Sequence, residues 1–203
     1  SRYSRVRSMT GMTGAEAARR LLNAQGIYDV TVQQIAGELT DHYDPRTKTV
    51  NLSQSVYGAT SVAAIGVAAH ECGHAMQDNE GYAPLRFRSA LVPVANFGSS
   101  LSWPLILLGL VFGGLGSPLV EIGILMFSLA VLFQLVTLPV EYNASARAVR
   151  LLDAQGILAG EEVNGTRKVL NAAALTYVAA AATSILQLLR LIILFGGRNR
   201  RDR

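Results

Sequence analysis

The stretch that decides the fold is Ser61-Val-Ala-Ala-Ile-Gly-Val-Ala-Ala-His-Glu-Cys-Gly-His74. Its Ala- and Val-rich first part predicts a helix that Thr60 or Ser61 would cap. Residues four apart share one face of a helix, so His70 and His74 can direct two imidazoles at one metal ion. Glu71 lies beside them, where it can serve as a general base. This H-E-x-x-H pattern is typical of zinc-dependent hydrolysis of peptide bonds.

The remaining composition points to a membrane. Half of the 203 residues are hydrophobic and only 16% are charged. The apolar residues are concentrated in Leu91–Leu115 and Leu119–Val140, each long enough to cross a hydrocarbon core of about 30 Å. The short glycine-rich segment between them, 113–118, predicts a transmembrane helical hairpin. The alternative is a pair of buried core helices. A globular chain of this length has little surface with which to cover two such helices on all sides.

A third apolar stretch, Val169–Phe195, is interrupted by polar residues. Its last part, 183–196, either spans the bilayer or lies in the interface with Arg190 reaching towards the headgroups. The net charge of +4 and the basic tail fit acidic lipids, so the lipid bilayer is an expected partner. Aromatic residues are not interleaved with the basic ones, so no nucleic acid is expected. The tail arginines are Arg198, Arg200, Arg201 and Arg203.

Short strands precede the H-E-x-x-H helix. We predict strands at Val30–Ile35, Glu38–Tyr43 and Thr49–Leu52, and a capped helix from Thr13 to about Gln25. The third strand, with Val50, Asn51 and Leu52, is a candidate sheet edge for an extended peptide substrate. The expected fold class is therefore α+β, mainly α. We expect three parts: a zincin-like domain at 1–88, the hairpin at 89–141, and a helical C-terminal part at 142–203 that completes the active site.

A catalytic zinc usually takes three protein ligands. Glu141 is the strongest candidate for the third, because it lies where the second apolar span ends and a hairpin returns the chain to its starting side. Glu121 lies near the hairpin tip, at the opposite side. His42 is the rival ligand, and it could instead contact substrate or Glu71. The single cysteine, Cys72, excludes an internal disulfide, and its position on the helix does not suit the same metal.

Four stretches of the chain resemble the YugP-like neutral zinc metallopeptidases, a family of bacterial membrane proteins. They are Leu39-Thr-Asp-His-Tyr-Asp-Pro-Arg46, Val67-Ala-Ala-His-Glu-Cys-Gly-His-Ala75, Leu138-Pro-Val-Glu-Tyr-Asn-Ala-Ser145 and Leu175-Thr-Tyr-Val-Ala179. More distantly, the layout is similar to the HtpX and CAAX-endopeptidase proteases, which pair HExxH with E-x-x-A-D. Here Ser145 takes the place of that Asp, which normally supports the site from behind a ligand. The resemblance implies a gluzincin-like protease, and an N-terminal membrane helix that usually precedes this region.

The resulting hypothesis is a membrane-embedded zinc endopeptidase acting on a peptide or protein substrate. Zn²⁺ would be held by His70, His74 and Glu141, with Glu71 as the general base. Tyr177, a phenol in an otherwise Ala-rich helix, is the first candidate for stabilising the oxyanion, and Arg147 is the second. Two alternatives are a non-catalytic zinc-stabilised scaffold and an intramembrane protease with the motif inside a span. The apolar run before His70 is too short for the latter.

Basic residues predict the orientation in the membrane. Several flank the hairpin on the catalytic side and none lies at its tip, so the positive-inside rule puts the active site in the cytoplasm of a bacterial cell, at the cytoplasmic membrane. The arginine tail opposes this assignment if the third stretch spans. The chain has no initiator Met, and we expect its native N-terminus to lie further upstream. The flanking residues are Arg86, Arg88, Arg147, Arg150, Arg167 and Lys168.

Overall fold

A computed structural model describes residues 2–115 and 117–195. It is mainly helical with one small sheet, which confirms the predicted α+β class. A short 3-10 helix, Arg2–Ser4, comes first. The elements that follow are α1 (Gly14–Ala24), β1 (Thr31–Ile35), β2 (His42–Asp44), β3 (Thr49–Ser53), α2 (Gln54–Tyr57), α3 (Val62–Asn79), α4 (Ala83–Gly113), α5 (Pro118–Ala154) and α6 (Glu161–Phe195).

The described chain divides into two compact units. The first unit comprises the residues up to Leu85 together with Val140–Leu175, and the second comprises Arg86–Pro139 together with the residues from Thr176 on. The C-terminal part of α5 and the first part of α6 thus belong with the N-terminal residues. The division into three consecutive parts stays a prediction from sequence. The basic tail that we expect to meet lipid headgroups lies outside the described residues.

Helix α1 begins and ends as its sequence predicts. The Thr13 hydroxyl accepts from the Glu16 backbone N–H, and the Glu16 carboxylate accepts from the Thr13 N–H, which completes a capping box. At the other end Gly26 adopts a φ of 70°, and the N–H of Ile27 donates to the carbonyl of Leu22. The segment 150–157 nearly repeats 20–27 and ends α5 in the same way, with a φ of 61° at the corresponding glycine.

The sheet has the order β1-β3-β2, with β1 parallel and β2 antiparallel to β3. Two predictions about it are wrong. The strand expected from Glu38 starts only at His42, because Gly37 and Leu39 have φ values of 100° and 57° that break extended backbone. The strand expected to offer an edge is the central one, and its Val50, Asn51 and Leu52 are buried. Both sides of β3 already carry hydrogen-bonded strands, so it cannot receive a peptide there.

The core of the first unit lies between α1, α3 and the sheet. Helix α1 buries Leu21 and Leu22 within it, and α3 buries Val62 and Ile65. Ser61 caps α3 by accepting from the N–H of Ala64, in agreement with the predicted start. These contacts fix the helix that carries the H-E-x-x-H motif.

The second unit contains an antiparallel helix pair built on close backbone contacts. A β-carbon at Gly98 of α4 would lie 2.5 Å from the carbonyl oxygen of Met126 in α5, and one at Gly123 of α5 would lie 2.8 Å from that of Ser102. Small residues that let two helices approach this closely are typical of packing in lipid. Phe112 and Val111 are 80% and 75% exposed. Helices α4, α5 and α6 are each long and apolar enough to cross a membrane.

Candidate metal centre

Helix α3 directs both histidines of the motif to one place. The rings of His70 and His74 meet edge to face, with centroids 4.8 Å apart and planes at 83°. Both are largely withdrawn from solvent, with side chains 16% and 10% exposed. One helical turn separates them, so the helix itself supplies this convergence.

Glu141 completes the group from the C-terminal part of α5. Its Oε2 lies 3.1 Å from Nε2 of His70 and 3.6 Å from Nε2 of His74. The carboxylate is only 4% exposed. Among the described residues, His70, His74 and Glu141 form a group that could hold a metal ion. Their ligand atoms all lie within 4.8 Å of one another.

The two separations between Glu141 and the histidines fit zinc. Two ligand atoms on a tetrahedral zinc, each about 2.0–2.1 Å from the ion, lie about 3.3 Å apart. The two separations from Glu141, 3.1 and 3.6 Å, bracket that value. Two imidazoles and one carboxylate are also a ligand set that leaves a fourth position for chemistry in catalytic zinc sites.

Each histidine is supported on the side away from Glu141. Nδ1 of His70 lies 3.0 Å from the Ser145 hydroxyl, and Nδ1 of His74 lies 3.0 Å from Oε1 of Gln77. Such outer partners orient the rings and hold Nε2 free for a metal. Gln77 was not among the residues predicted from the sequence. Its signal was its position three residues after His74, on nearly the same face of α3.

The electrostatics of the pocket favour a cation. Burial of the His74 ring opposes its protonation, but the hydrogen bond that the ring donates to Glu141 and the negative charges of Glu71 and Glu141 outweigh that effect. The pKa of His74 is therefore raised above its ordinary value. The same carboxylates would attract a metal ion in place of the proton.

Glu71 is available for proton transfer. It is buried at 8% exposure, yet among the described residues no group hydrogen bonds to its carboxylate. The neighbouring Cys72 points away into the core, where its thiol lies 3.6 Å from the carbonyl oxygen of Ala18 and burial raises its pKa. A carboxylate without a hydrogen-bond partner, beside two histidines that could bind a metal, suits a general base.

A glycine brings α3 and α5 together at the site. A β-carbon at Gly73 would lie 2.5 Å from the carbonyl oxygen of Ala144. Only glycine permits so close an approach, which sets Glu141 against the histidines of α3. This requirement was not visible in the sequence, because it depends on a contact between segments 71 residues apart.

The other predicted site residues lie elsewhere. His42 is exposed, and its ring nitrogens contact the carbonyl of Thr40 at 2.7 Å and the amide of Asn51 at 3.2 Å. It is not part of the metal-ligand group. Tyr177 belongs to the second unit and is 43% exposed. The roles predicted for these two residues stay predictions.

Arg147 contacts three partners in the first unit. Its Nε donates to Oδ1 of Asn143 at 2.7 Å, and its NH1 forms an ion pair with Glu80 at 2.6 Å. The guanidinium also lies over the ring of Tyr82, 5.9 Å from its centroid. These contacts hold the side chain in one orientation, and its oxyanion role stays a prediction.

Comparison with known proteins defines the class and then the family. The family model described as "Putative neutral zinc metallopeptidase" matches residues 1–196. The chain is also 50% identical over 194 residues to the "Putative membrane protease YugP" of Bacillus subtilis (strain 168). The aligned region covers 96% of this chain and 85% of that protein. No solved structure matches it significantly. The chain therefore belongs to this zinc metallopeptidase family, and the resemblance drawn from its motifs is confirmed.

Proposed function

We propose that this chain is a membrane-embedded zinc metalloendopeptidase. The observation that carries the proposal is the meeting of His70, His74 and Glu141 around one point, with the free carboxylate of Glu71 on the same helix. Membership of the zinc metallopeptidase family supports it. The three span-length helices support attachment to a lipid bilayer.

The residues divide the chemistry between them. His70, His74 and Glu141 would hold the zinc, which when bound lowers the pKa of water and polarises the scissile carbonyl. Glu71 accepts the proton from the attacking water and delivers it to the leaving amine. Its withdrawal from bulk solvent, at 8% exposure, strengthens these electrostatic interactions. Tyr177 remains our candidate for donating a hydrogen bond to the oxyanion.

We further propose that the hairpin of α4 and α5 spans the cytoplasmic membrane of a bacterium with its tip away from the catalytic side. The tip segment 113–118 contains no Lys or Arg, whereas basic residues flank both ends of the hairpin. The positive-inside rule then puts the active site in the cytoplasm. The curated relative is named a membrane protease, which supports the membrane assignment.

A non-catalytic zinc-stabilised scaffold is the competing function. A structural zinc site has four protein ligands and needs no base. Three ligands and an unbonded Glu71 favour catalysis instead. The two functions are separated by purifying the protein in detergent, measuring its zinc content and assaying cleavage of fluorescein-labelled casein and of a bacterial membrane extract. Zinc-dependent cleavage that Glu71→Gln removes supports the protease, and a zinc-loaded protein that cleaves neither supports the scaffold.

A further inference from the structure

Gln77 connects the ligand His74 to helix α5. Its side chain is fully buried. Oε1 lies 3.0 Å from Nδ1 of His74, while Nε2 donates to the carbonyl of Val140 and to Oδ1 of Asn143, both at 2.9 Å. All four residues belong to the first unit. One amide therefore satisfies three partners in a place that water does not reach.

The partners of Gln77 leave its amide one orientation. The Val140 carbonyl can only accept a hydrogen bond, so the group that faces it must be the NH₂ of Gln77. Its oxygen must then face His74, and this oxygen can only accept. Nδ1 of His74 consequently carries the hydrogen, which leaves the lone pair of Nε2 directed towards Glu141 and the metal position.

The side-chain amide of Asn143 could also exchange the positions of its oxygen and its NH₂ group. Its contact with Arg147 excludes the exchanged orientation. A guanidinium only donates, so the oxygen of Asn143 must face Nε of Arg147, 2.7 Å away. The same oxygen accepts from Gln77. Among the described residues no hydrogen bond involves the NH₂ of Asn143, so this side chain is used only as an acceptor.

The outer end of the chain of contacts is anchored by charge. Glu80 binds NH1 of Arg147 at 2.6 Å, and Tyr82 lies against the guanidinium. The pKa of Glu80 is lowered by this hydrogen bond and by the positive charge of Arg147, so the carboxylate remains ionised at neutral pH. An arginine held on three sides presents its Nε–H in a fixed direction.

We propose that Gln77, Asn143 and Arg147 are positioning residues that lock His74 in the tautomer able to bind zinc through Nε2. We call these three residues the amide relay. The Val140 carbonyl fixes the direction of the hydrogen bonds at one end of the relay, and Arg147 fixes their direction at the other end. The proposal rests on the zinc site described above, and it assigns Arg147 to the support of a ligand.

The relay makes opposite predictions for two isosteric changes. Gln77→Glu removes the two donated hydrogen bonds and sets carboxylate oxygens against Val140 and Asn143, so zinc should bind about 10- to 100-fold more weakly. Asn143→Asp keeps the acceptor that both partners need, so zinc affinity should stay close to that of the wild type. The zinc dissociation constant of each full-length variant, purified in detergent, is measured by competition with a chelator.

Two further variants separate position from charge. Arg147→Met should weaken zinc binding, whereas Arg150→Met makes the same change of charge one turn away at an exposed arginine and should not. The thermal midpoint of the metal-free proteins, measured with chelator present, checks that each variant folds. A loss of zinc affinity without a matching loss of metal-free stability is the signature of a positioning role.

Three results would overturn the relay. Gln77→Glu could bind zinc as tightly as the wild type or more tightly, as a simple gain of negative charge would cause. Asn143→Asp could be as weak as Gln77→Glu, which would indicate that only the neutral amides pack well. A wild-type protein that binds no zinc would remove the proposed site and the relay with it. A wild-type protein that binds zinc but cleaves nothing would contradict the proposed function alone, because the relay is measured by affinity.

Discussion

The hydroxyl of Ser145 lies 3.0 Å from Nδ1 of His70, one helical turn beyond the Glu141 carboxylate that approaches the same ring from its other side. A single turn of α5 therefore supplies the proposed ligand Glu141 and the outer partner of the proposed ligand His70. In this chain the Ser145 hydroxyl occupies the side of the His70 ring that faces away from Glu141.

We expect Ser145→Ala to weaken zinc binding by about tenfold or more, because Nδ1 of His70 would lose its partner and the ring its fixed orientation. Ser145→Asp should retain zinc or bind it more tightly, since a carboxylate accepts the same hydrogen bond. Chelator competition on the purified variants measures both. Unchanged affinity in Ser145→Ala would show that packing alone orients His70.

Glu71→Gln should abolish proteolysis while zinc stays bound. The amide cannot accept the proton from water, and Glu71 is not one of the three ligands. We expect turnover to fall by about two to four orders of magnitude. Zinc content and cleavage of labelled casein are measured on one preparation. The matched control is Glu38→Gln, the same change at an exposed loop carboxylate, which should cleave normally. Activity in a zinc-loaded Glu71→Gln protein would contradict the mechanism.

Glu141→Ala should lose both metal and activity, whereas His42→Ala should keep the metal. The first removes a buried carboxylate 3.1 and 3.6 Å from the two histidines, and the second removes a ring that lies outside this group. Glu121→Ala, on the same helix α5, serves as the control and should also retain zinc. Zinc analysis that gave the reverse pattern would identify His42 as the third ligand.

The hairpin of α4 and α5 should cross the membrane. We expect single cysteines at Leu115, in the tip segment 113–118, and at Asn79, at the end of α3, to react with an impermeant reagent from opposite faces of intact cells. Both changes are made with Cys72→Ala as background, and permeabilised cells show that each thiol is reactive. Labelling of both positions from one face would mean that these apolar helices do not form a spanning hairpin.

Tyr177→Phe should lower turnover about ten- to a thousandfold with zinc content unchanged, if the phenol donates to the oxyanion. The Michaelis constant should change little, because the interaction forms mainly in the transition state. Tyr28→Phe, at a tyrosine 79% exposed, controls for the loss of a hydroxyl. Normal turnover in Tyr177→Phe would instead match a tyrosine in the aromatic belt of a membrane protein.

The features that follow from local sequence were predictable. The capping box of Thr13 and Glu16 and the start of α3 at Ser61 depend on residues within one turn of each other. The convergence of His70 and His74 follows from the helical repeat alone. The predicted ligand Glu141 does lie against these histidines, although its choice required an inference about where a hairpin returns the chain.

The strand order could not be predicted in the same way. The alternation in Thr49–Leu52 indicates a strand but does not say which strands pair with it. Pairing is decided by contacts between separate segments, and it made β3 central. The predicted strand from Glu38 was wrong for a local reason, since a leucine at positive φ is rare and gives no sequence signal.

By itself, the sequence determined the helix face that carries both histidines, the span-length helices and the family, because each depends on spacing along the chain. Only the tertiary structure decided what surrounds the ligands. The close approach of Gly73 to Ala144 brings α5 against α3, and the partners Gln77 and Ser145 then meet the two histidines. A hydrogen bond requires atoms about 3 Å apart, and sequence separation carries no information about distances that small between two different helices.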